Sequence, residues 1–124
     1  MNIFEQAIQQ GQDASQMGFD WTSPHEVILK VLEESQELSE AIRIENTDLI
    51  RHEMGDVLLA LSSLARHLNL SLEQSFVEAV ERFQQRWDEM MEIAHEQKIE
   101  IQTQSPAEWE QLWSDAKESL DKRC

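Results

Sequence analysis

The sequence predicts an all-α fold, a four-helix bundle preceded by an N-terminal helical arm, and three observations support that prediction. Glycine occurs 3 times and proline 2 times in 124 residues, too few for the many turns of a β fold. Helix-start signals recur along the chain, and the apolar residues between them repeat with the period of an α-helix. The length suits one domain rather than two.

Each predicted helix has its own boundaries. An apolar periodic run over residues 2–16 predicts the arm helix, and a loop over 17–22 joins it to the bundle. The expected N-cap residues of the four bundle helices are, in chain order, Ser23, Asn46 or Thr47, Ser71 and Ser105. The single domain over residues 1–124 therefore divides into the arm and its loop (1–22), the first three bundle helices (23–97) and the C-terminal helix with the segment that leads into it (98–124). That leading segment, over about 98–105, is polar and is expected to be irregular.

Charge and cysteine content narrow the class of protein. The chain has 25 acidic and 10 basic residues, a formal net charge of −15, which excludes broad surface binding to nucleic acid or anionic membranes. Cys124 is the single cysteine, so no internal disulfide forms. We find no apolar signal segment and no run of about 18 apolar residues. We therefore expect a soluble, cytoplasmic protein.

Most acidic pairs spaced three residues apart are expected to lie on solvated helix faces, because acids are seldom fully buried. Examples are Glu78 with Glu81, Glu89 with Glu92, and Asp115 with Glu118.

Two acidic pairs differ, because they interrupt apolar stripes. Glu34 continues the stripe of the first bundle helix, and Glu37 lies one step further on the flank of the same face. Glu53 continues the stripe of the next helix, with Asp56 beside it. Four carboxylates directed toward a core are costly unless a divalent cation such as Mg²⁺ binds them. Partial exposure at a bundle end, or hydrogen bonding by protonated acids, explains the pattern equally well.

The motifs around these acids are also recognisable as a series. Glu33-Glu34-x-x-Glu37 followed by Glu53-x-x-Asp56 resembles the EExxE…ExxD signature of the MazG nucleoside triphosphate pyrophosphohydrolases. Other blocks that resemble the catalytic half of two-domain members are Gly18-Phe19-Asp20-Trp21, Leu64-Ala65-Arg66-His67-Leu68, Arg82-Phe83-x-x-Arg86-Trp87 and Leu112-Trp113-x-x-Ala116-Lys117. The resemblance covers nearly the whole chain.

The resemblance implies an all-α fold that assembles as a homodimer or larger oligomer. It also implies hydrolysis of NTPs and dNTPs to the monophosphate and pyrophosphate, with Mg²⁺ as cofactor and Mn²⁺ as a possible substitute. The implied metal ligands and catalytic residues are Glu34, Glu37, Glu53 and Asp56. The implied substrate-binding residues are Lys30, Arg82, Arg86, Trp113 and Lys117. Leu49 stands where the family often has lysine, and Arg82 replaces another lysine, so catalytic strength and substrate preference are open.

Two alternatives to a general pyrophosphohydrolase are a narrower enzyme for dUTP, dCTP or a modified nucleotide, and a non-catalytic acidic helical adaptor. Arg82 and Arg86 share one helix face and suit a phosphate clamp, but taken alone they are better explained by pairing with surface acids. Trp113 suits either base stacking or core packing. The four histidines lack metal-ligand spacing, and we expect the imidazole of His52 to point away from Glu53 into solvent.

Overall fold

A computed structural model describes residues 1–123, and Cys124 lies outside the described residues. All the regular secondary structure of the described residues is helical, with no strand, which confirms the all-α prediction. The α-helices are α1 (Ile3–Gln16), α2 (Pro24–Arg43), α3 (Thr47–His67), α4 (Leu72–Glu96) and α5 (Pro106–Lys122). A short 3₁₀ helix, Ile101–Thr103, lies within the segment predicted to be irregular. None of the described helices has the length and apolar character needed to cross a bilayer.

Side-chain caps explain where the helices begin. Ser105 accepts a hydrogen bond from the Glu108 N–H, and the Glu108 carboxylate accepts one from the Ser105 N–H, which completes a capping box. Ser23 caps α2 through the Glu26 N–H, but the Glu26 carboxylate reaches Thr22 instead, accepting from its N–H and its hydroxyl. Caps are likewise formed by Asn2, Asn46 and Ser71. The predicted N-cap positions are therefore confirmed.

The chain divides into two compact units, and the first comprises residues 1–75. Within it α2 and α3 pack along each other, and Ile44, Glu45 and Asn46 connect them through a left-handed Glu45 (φ 58°). The arm helix α1 packs on α3. Gly11 permits this approach, since a Cβ atom there would lie 2.5 Å from the Arg66 Nε. The first unit thus fixes the facing surfaces of α2 and α3.

The second unit begins at Phe76 and contains most of α4 together with α5. Its core is formed by Met90, Ala94, Leu112 and Ala116. The prediction that Glu89 lies on a solvated face is wrong, because its side chain is buried against α5. The Glu89 carboxylate accepts a hydrogen bond from the Ser119 hydroxyl (2.8 Å) and pairs with the Arg123 guanidinium (3.0 Å). These partners satisfy the charge that burial would otherwise leave unpaired.

Large apolar side chains remain exposed on the chain. The first part of the α4 stripe is open, with Phe76, Val80 and Phe83 exposed by 61%, 53% and 57%. Leu29 and Leu32 on α2 are also more than half exposed. An exposed apolar stripe such as the one on α4 is typical of a protein–protein contact.

Candidate metal centre

Glu34 and Glu37 on α2 and Glu53 on α3 form a carboxylate cluster. Each of the three residues offers one oxygen, and these oxygens all lie within 4.8 Å of one another. The spacing of three residues puts the two α2 acids on one side of that helix, and the packing of α2 on α3 brings Glu53 to face them. The structure therefore gathers three of the four acids that the sequence singled out.

The three acids differ in their exposure. Glu34 is buried, Glu53 is half-buried and Glu37 is exposed, so Glu37 lies at the open side of the cluster. Among the described residues, Glu34 Oε2 and Glu53 Oε2 are buried without a hydrogen-bond partner. A buried carboxylate oxygen that lacks a donor is unfavourable by about 1–3 kcal/mol or more. The protein alone thus leaves two buried carboxylate oxygens of the cluster without a stabilising partner.

A lysine, Lys30, contacts the cluster from its own helix α2. Its Nζ lies 3.0 Å from Glu34 Oε1 and 3.5 Å from Glu33 Oε2. The hydrogen bond from Lys30 lowers the pKa of Glu34 below its usual value, and the same bond raises the pKa of Lys30. The neighbouring Glu34 carboxylate raises the pKa of Glu37. The cluster therefore contains a fixed anion at Glu34 and a carboxyl group beside it that holds its proton more firmly.

Asp56, the fourth predicted ligand, lies in an overlapping group. This second group consists of His52, Glu53 and Asp56, each of which offers one ligand atom, and these three atoms also lie within 4.8 Å of one another. Glu53 belongs both to this group and to the carboxylate cluster. The His52 side chain is 66% exposed, which confirms the expectation of a solvated imidazole. Its Nε2 nevertheless lies 3.2 Å from Asp56 Oδ2, so the imidazole does not point away from the acids of α3. The spacing of four residues between His52 and Asp56 is the sequence signal that predicts this contact.

The donor set fits a hard divalent cation. Glu34, Glu37 and Glu53 supply oxygen atoms alone, the ligands that Mg²⁺ prefers, and Mn²⁺ accepts the same donors and an imidazole nitrogen as well. The two buried oxygens without hydrogen-bond donors are the atoms that such a cation would satisfy.

Comparison with known proteins identifies the family. A model of the MazG nucleotide pyrophosphohydrolase domain matches residues 22–91, more than half of the chain, and that range includes the carboxylate cluster and Asp56. The chain belongs to the MazG family. This confirms the resemblance read from the EExxE…ExxD motifs.

Two curated relatives extend the MazG match. The nucleoside triphosphate pyrophosphohydrolase/pyrophosphatase MazG of Thermotoga maritima is 31% identical over 106 residues, which cover 86% of this chain and 40% of that protein. The nucleoside triphosphate pyrophosphohydrolase of Escherichia coli K12 is 34% identical over 103 residues, covering 82% of this chain and 39% of that protein. The chain thus spans about two-fifths of the length of these relatives.

The remaining predicted site residues of the MazG resemblance lie in the second unit. The Arg86 guanidinium carbon lies 5.3 Å from the centre of the Trp113 ring, a cation–π geometry. Phe83 also contacts Trp113, with ring centroids 5.7 Å apart. Arg82 and Lys117 are exposed. The structure therefore brings Arg86 and Trp113 together, and the substrate-binding roles of these residues remain predictions.

The first unit also contains a polar network that the sequence did not single out. The Asp20 carboxylate accepts two hydrogen bonds from Arg66, both 2.9 Å long, and lies 2.8 Å from His67 Nε2. The hydrogen bonds from Arg66 hold the pKa of Asp20 far below its usual value. Both partners lie in blocks noted for their MazG resemblance, but 46 residues separate Asp20 from Arg66, and no local spacing reveals the contact.

Proposed function

We propose that this chain hydrolyses nucleoside triphosphates, both NTPs and dNTPs, to the nucleoside monophosphate and pyrophosphate, with Mg²⁺ held by Glu34, Glu37, Glu53 and Asp56. The observation that carries the proposal is the carboxylate cluster with two buried oxygens that lack hydrogen-bond donors. Membership of the MazG family and the names of two relatives support it.

The charge of the chain explains why a cation is needed. A triphosphate is strongly anionic, and the protein has a net charge of −15, so binding without a cation is repulsive. When bound, a divalent cation supplies positive charge to phosphate oxygens and activates water for attack. Lys30, 3.0 Å from Glu34, fixes the orientation of that carboxylate and adds positive charge at the edge of the cluster.

The proposed reaction breaks one phosphoanhydride bond. The oxygen of a water molecule attacks the α-phosphorus and the water releases a proton to solvent. The bond to the oxygen that bridges to the β-phosphorus breaks, and pyrophosphate leaves. In this proposal Arg82 and Arg86 hold phosphate oxygens, since a guanidinium donates two parallel hydrogen bonds. Trp113 and Lys117 complete the substrate-binding set.

We also propose that the chain acts as a homo-oligomer, a dimer or larger. The exposed side chains of Phe76, Val80 and Phe83 on α4 support this, as do those of Leu29 and Leu32 on α2. Burial of such surfaces between subunits contributes about 25 cal/mol per Å² of apolar area.

Product analysis tests the proposed reaction. The chain is incubated with each of the four common NTPs and dNTPs in the presence of Mg²⁺, Mn²⁺ or a chelator, and the products are separated by anion exchange. Monophosphate and pyrophosphate in equal amounts, formed only with a divalent cation, are the expected result. Release of orthophosphate, or no turnover of any substrate, would contradict the proposal.

A further inference from the structure

His52 adjoins the carboxylate cluster, although the proposed reaction gives it no role. His52, Glu53 and Asp56 each offer one ligand atom, and these three atoms lie within 4.8 Å of one another. The closest approach joins His52 Nε2 to Asp56 Oδ2, at 3.2 Å. Because Glu53 also belongs to the carboxylate cluster, a nitrogen donor is available at the edge of a site whose other donors are all oxygen atoms.

The positions of these three residues on α3 explain how they come together. His52 and Asp56 are four residues apart, which places their side chains one above the other on one face of the helix. The same spacing lets two side chains of one helix bind one metal ion, as the two histidines of the H-E-x-x-H motif do. Glu53, three residues before Asp56, completes the group. The segment His52-Glu53-x-x-Asp56 thus presents one imidazole and two carboxylates within little more than one helical turn.

The exposure of the side chains suits a metal site that opens to solvent at His52. The side chains of His52 and Asp56 are 66% and 38% exposed. Glu53 is half-buried, and its Oε2 is buried without a hydrogen-bond donor. Glu34, across the cluster, is only 7% exposed, and its Oε2 also lacks a donor. These unsatisfied buried oxygens are evidence for a cation that does not depend on the position of the imidazole.

An imidazole changes which cation such a site prefers. Mg²⁺ and Mn²⁺ have the same charge, and carboxylates suit both of them. Mg²⁺ takes oxygen ligands, whereas an imidazole nitrogen suits first-row transition ions. Helical bundles that combine glutamates with histidines accordingly hold pairs of iron or manganese ions. A nitrogen ligand from His52 would therefore stabilise a bound transition ion more than it stabilises bound Mg²⁺.

We propose that His52 is a metal ligand together with Glu53 and Asp56, and that it makes the centre select a first-row transition ion such as Mn²⁺ over Mg²⁺. His52 stands immediately before the ExxD pair and lies outside the EExxE…ExxD motif. The proposal rests on the proposed function for the claim that Glu53 and Asp56 bind a cation. It deepens that function by naming the class of ion that the centre binds most tightly.

Metal binding without nucleotide tests this proposal. Mn²⁺ affinity is measured by electron paramagnetic resonance of the free ion, and Mg²⁺ affinity by its competition with Mn²⁺. Nitrogen ligation is detected by electron spin-echo modulation of the bound Mn²⁺, with protein labelled with ¹⁵N-histidine as the reference. The variant is His52→Gln, which keeps a hydrogen-bond donor beside Asp56 but removes the imidazole. The matched control is His95→Gln, at an exposed histidine of α4 that belongs to neither group.

We expect a nitrogen coupling that responds to the ¹⁵N label in wild type and in His95→Gln, and none in His52→Gln. His52→Gln should weaken Mn²⁺ binding by at least ~10-fold and change Mg²⁺ affinity by less than ~2-fold, with unchanged circular dichroism.

Bound Mn²⁺ without nitrogen coupling in wild type would overturn the proposal and leave His52 as a surface partner of Asp56. Equal losses of Mn²⁺ and Mg²⁺ affinity in His52→Gln, or the same loss of Mn²⁺ affinity in His95→Gln, would also overturn it. The proposed reaction fails by a different result, the absence of monophosphate and pyrophosphate in the product assay. Since no nucleotide is present in the binding experiment, the two failures are distinguishable.

Discussion

Replacement of Asp20 by asparagine tests the network that joins the α1–α2 loop to α3. The Asp20 carboxylate accepts two hydrogen bonds from Arg66 at 2.9 Å, contacts His67 Nε2 at 2.8 Å and accepts the Trp21 N–H at 2.8 Å. Asparagine keeps the shape of the side chain but removes its charge. It also turns an NH₂ group toward one of these donors.

The expected loss of unfolding free energy in Asp20→Asn follows from the burial of the Asp20–Arg66 ion pair. The side chains of Asp20 and Arg66 are only 16% and 13% exposed, so this pair is closer to a buried than to a surface ion pair. Loss of one partner from a buried pair lowers the free energy of unfolding by about 3–5 kcal/mol. Because residual exposure screens the charges, we expect about 3 kcal/mol for Asp20→Asn at pH 7, measured by urea unfolding.

The stability difference between wild type and Asp20→Asn should become smaller as the pH falls. Hydrogen bonds from Arg66 hold the pKa of Asp20 well below its usual value. Above the ordinary aspartate pKa of about 3.9, the folded and unfolded chains are both ionised, and the contribution is fully present. As the pH falls below that value, the unfolded chain binds a proton that the folded chain does not. The difference between wild type and Asp20→Asn should therefore narrow by about 1.3 kcal/mol between pH 5 and pH 3.

An exposed ion pair provides the control. Glu118→Gln removes a charge that pairs with Lys122 at 3.1 Å, with both side chains more than 65% exposed. It should cost no more than about 0.5 kcal/mol. If Asp20→Asn costs no more than this control, or if its cost stays constant between pH 5 and pH 3, the account of the Asp20 network is wrong.

Three further predictions concern the site and the assembly. Glu53→Gln should weaken Mn²⁺ binding by at least ~10-fold and remove most of the turnover, while the far-ultraviolet circular dichroism stays unchanged. Glu92→Gln, at an exposed acid, should change neither Mn²⁺ binding nor turnover. Equal losses in the two variants would refute the metal site. Arg86→Ala should lower kcat/KM by at least ~10-fold without changing Mn²⁺ affinity, and full activity would show that Arg86 serves only to pack on Trp113. Sedimentation at micromolar concentration should give at least twice the 14.5 kDa chain mass, and an active monomer would refute the oligomer.

Local spacing explains why much of the fold was predictable from the sequence. N-caps depend on a side chain and an N–H three residues away, so Ser23, Asn46 and Ser105 mark the helix starts directly. The carboxylate cluster follows from helical periodicity, because an acid within an apolar stripe must face a neighbouring helix.

Contacts distant in sequence explain what was missed. Glu89 is buried because Ser119 and Arg123, 30 and 34 residues further along the chain, satisfy its carboxylate. Nothing in the local pattern around Glu89 distinguishes it from an acid on a solvated face. The Asp20–Arg66 network has the same origin, since only tertiary packing brings its partners together.

The central claim is that the acids of α2 and α3 serve hydrolysis at the α-phosphorus of a nucleoside triphosphate. Its most direct test is hydrolysis of ATP in ¹⁸O-labelled water with Mg²⁺, followed by mass spectrometry of both products, for wild type and Glu53→Gln. We predict that wild type places the label in AMP and leaves pyrophosphate unlabelled, and that Glu53→Gln forms little of either product. Label in pyrophosphate or orthophosphate, or unimpaired turnover by Glu53→Gln, would contradict the account.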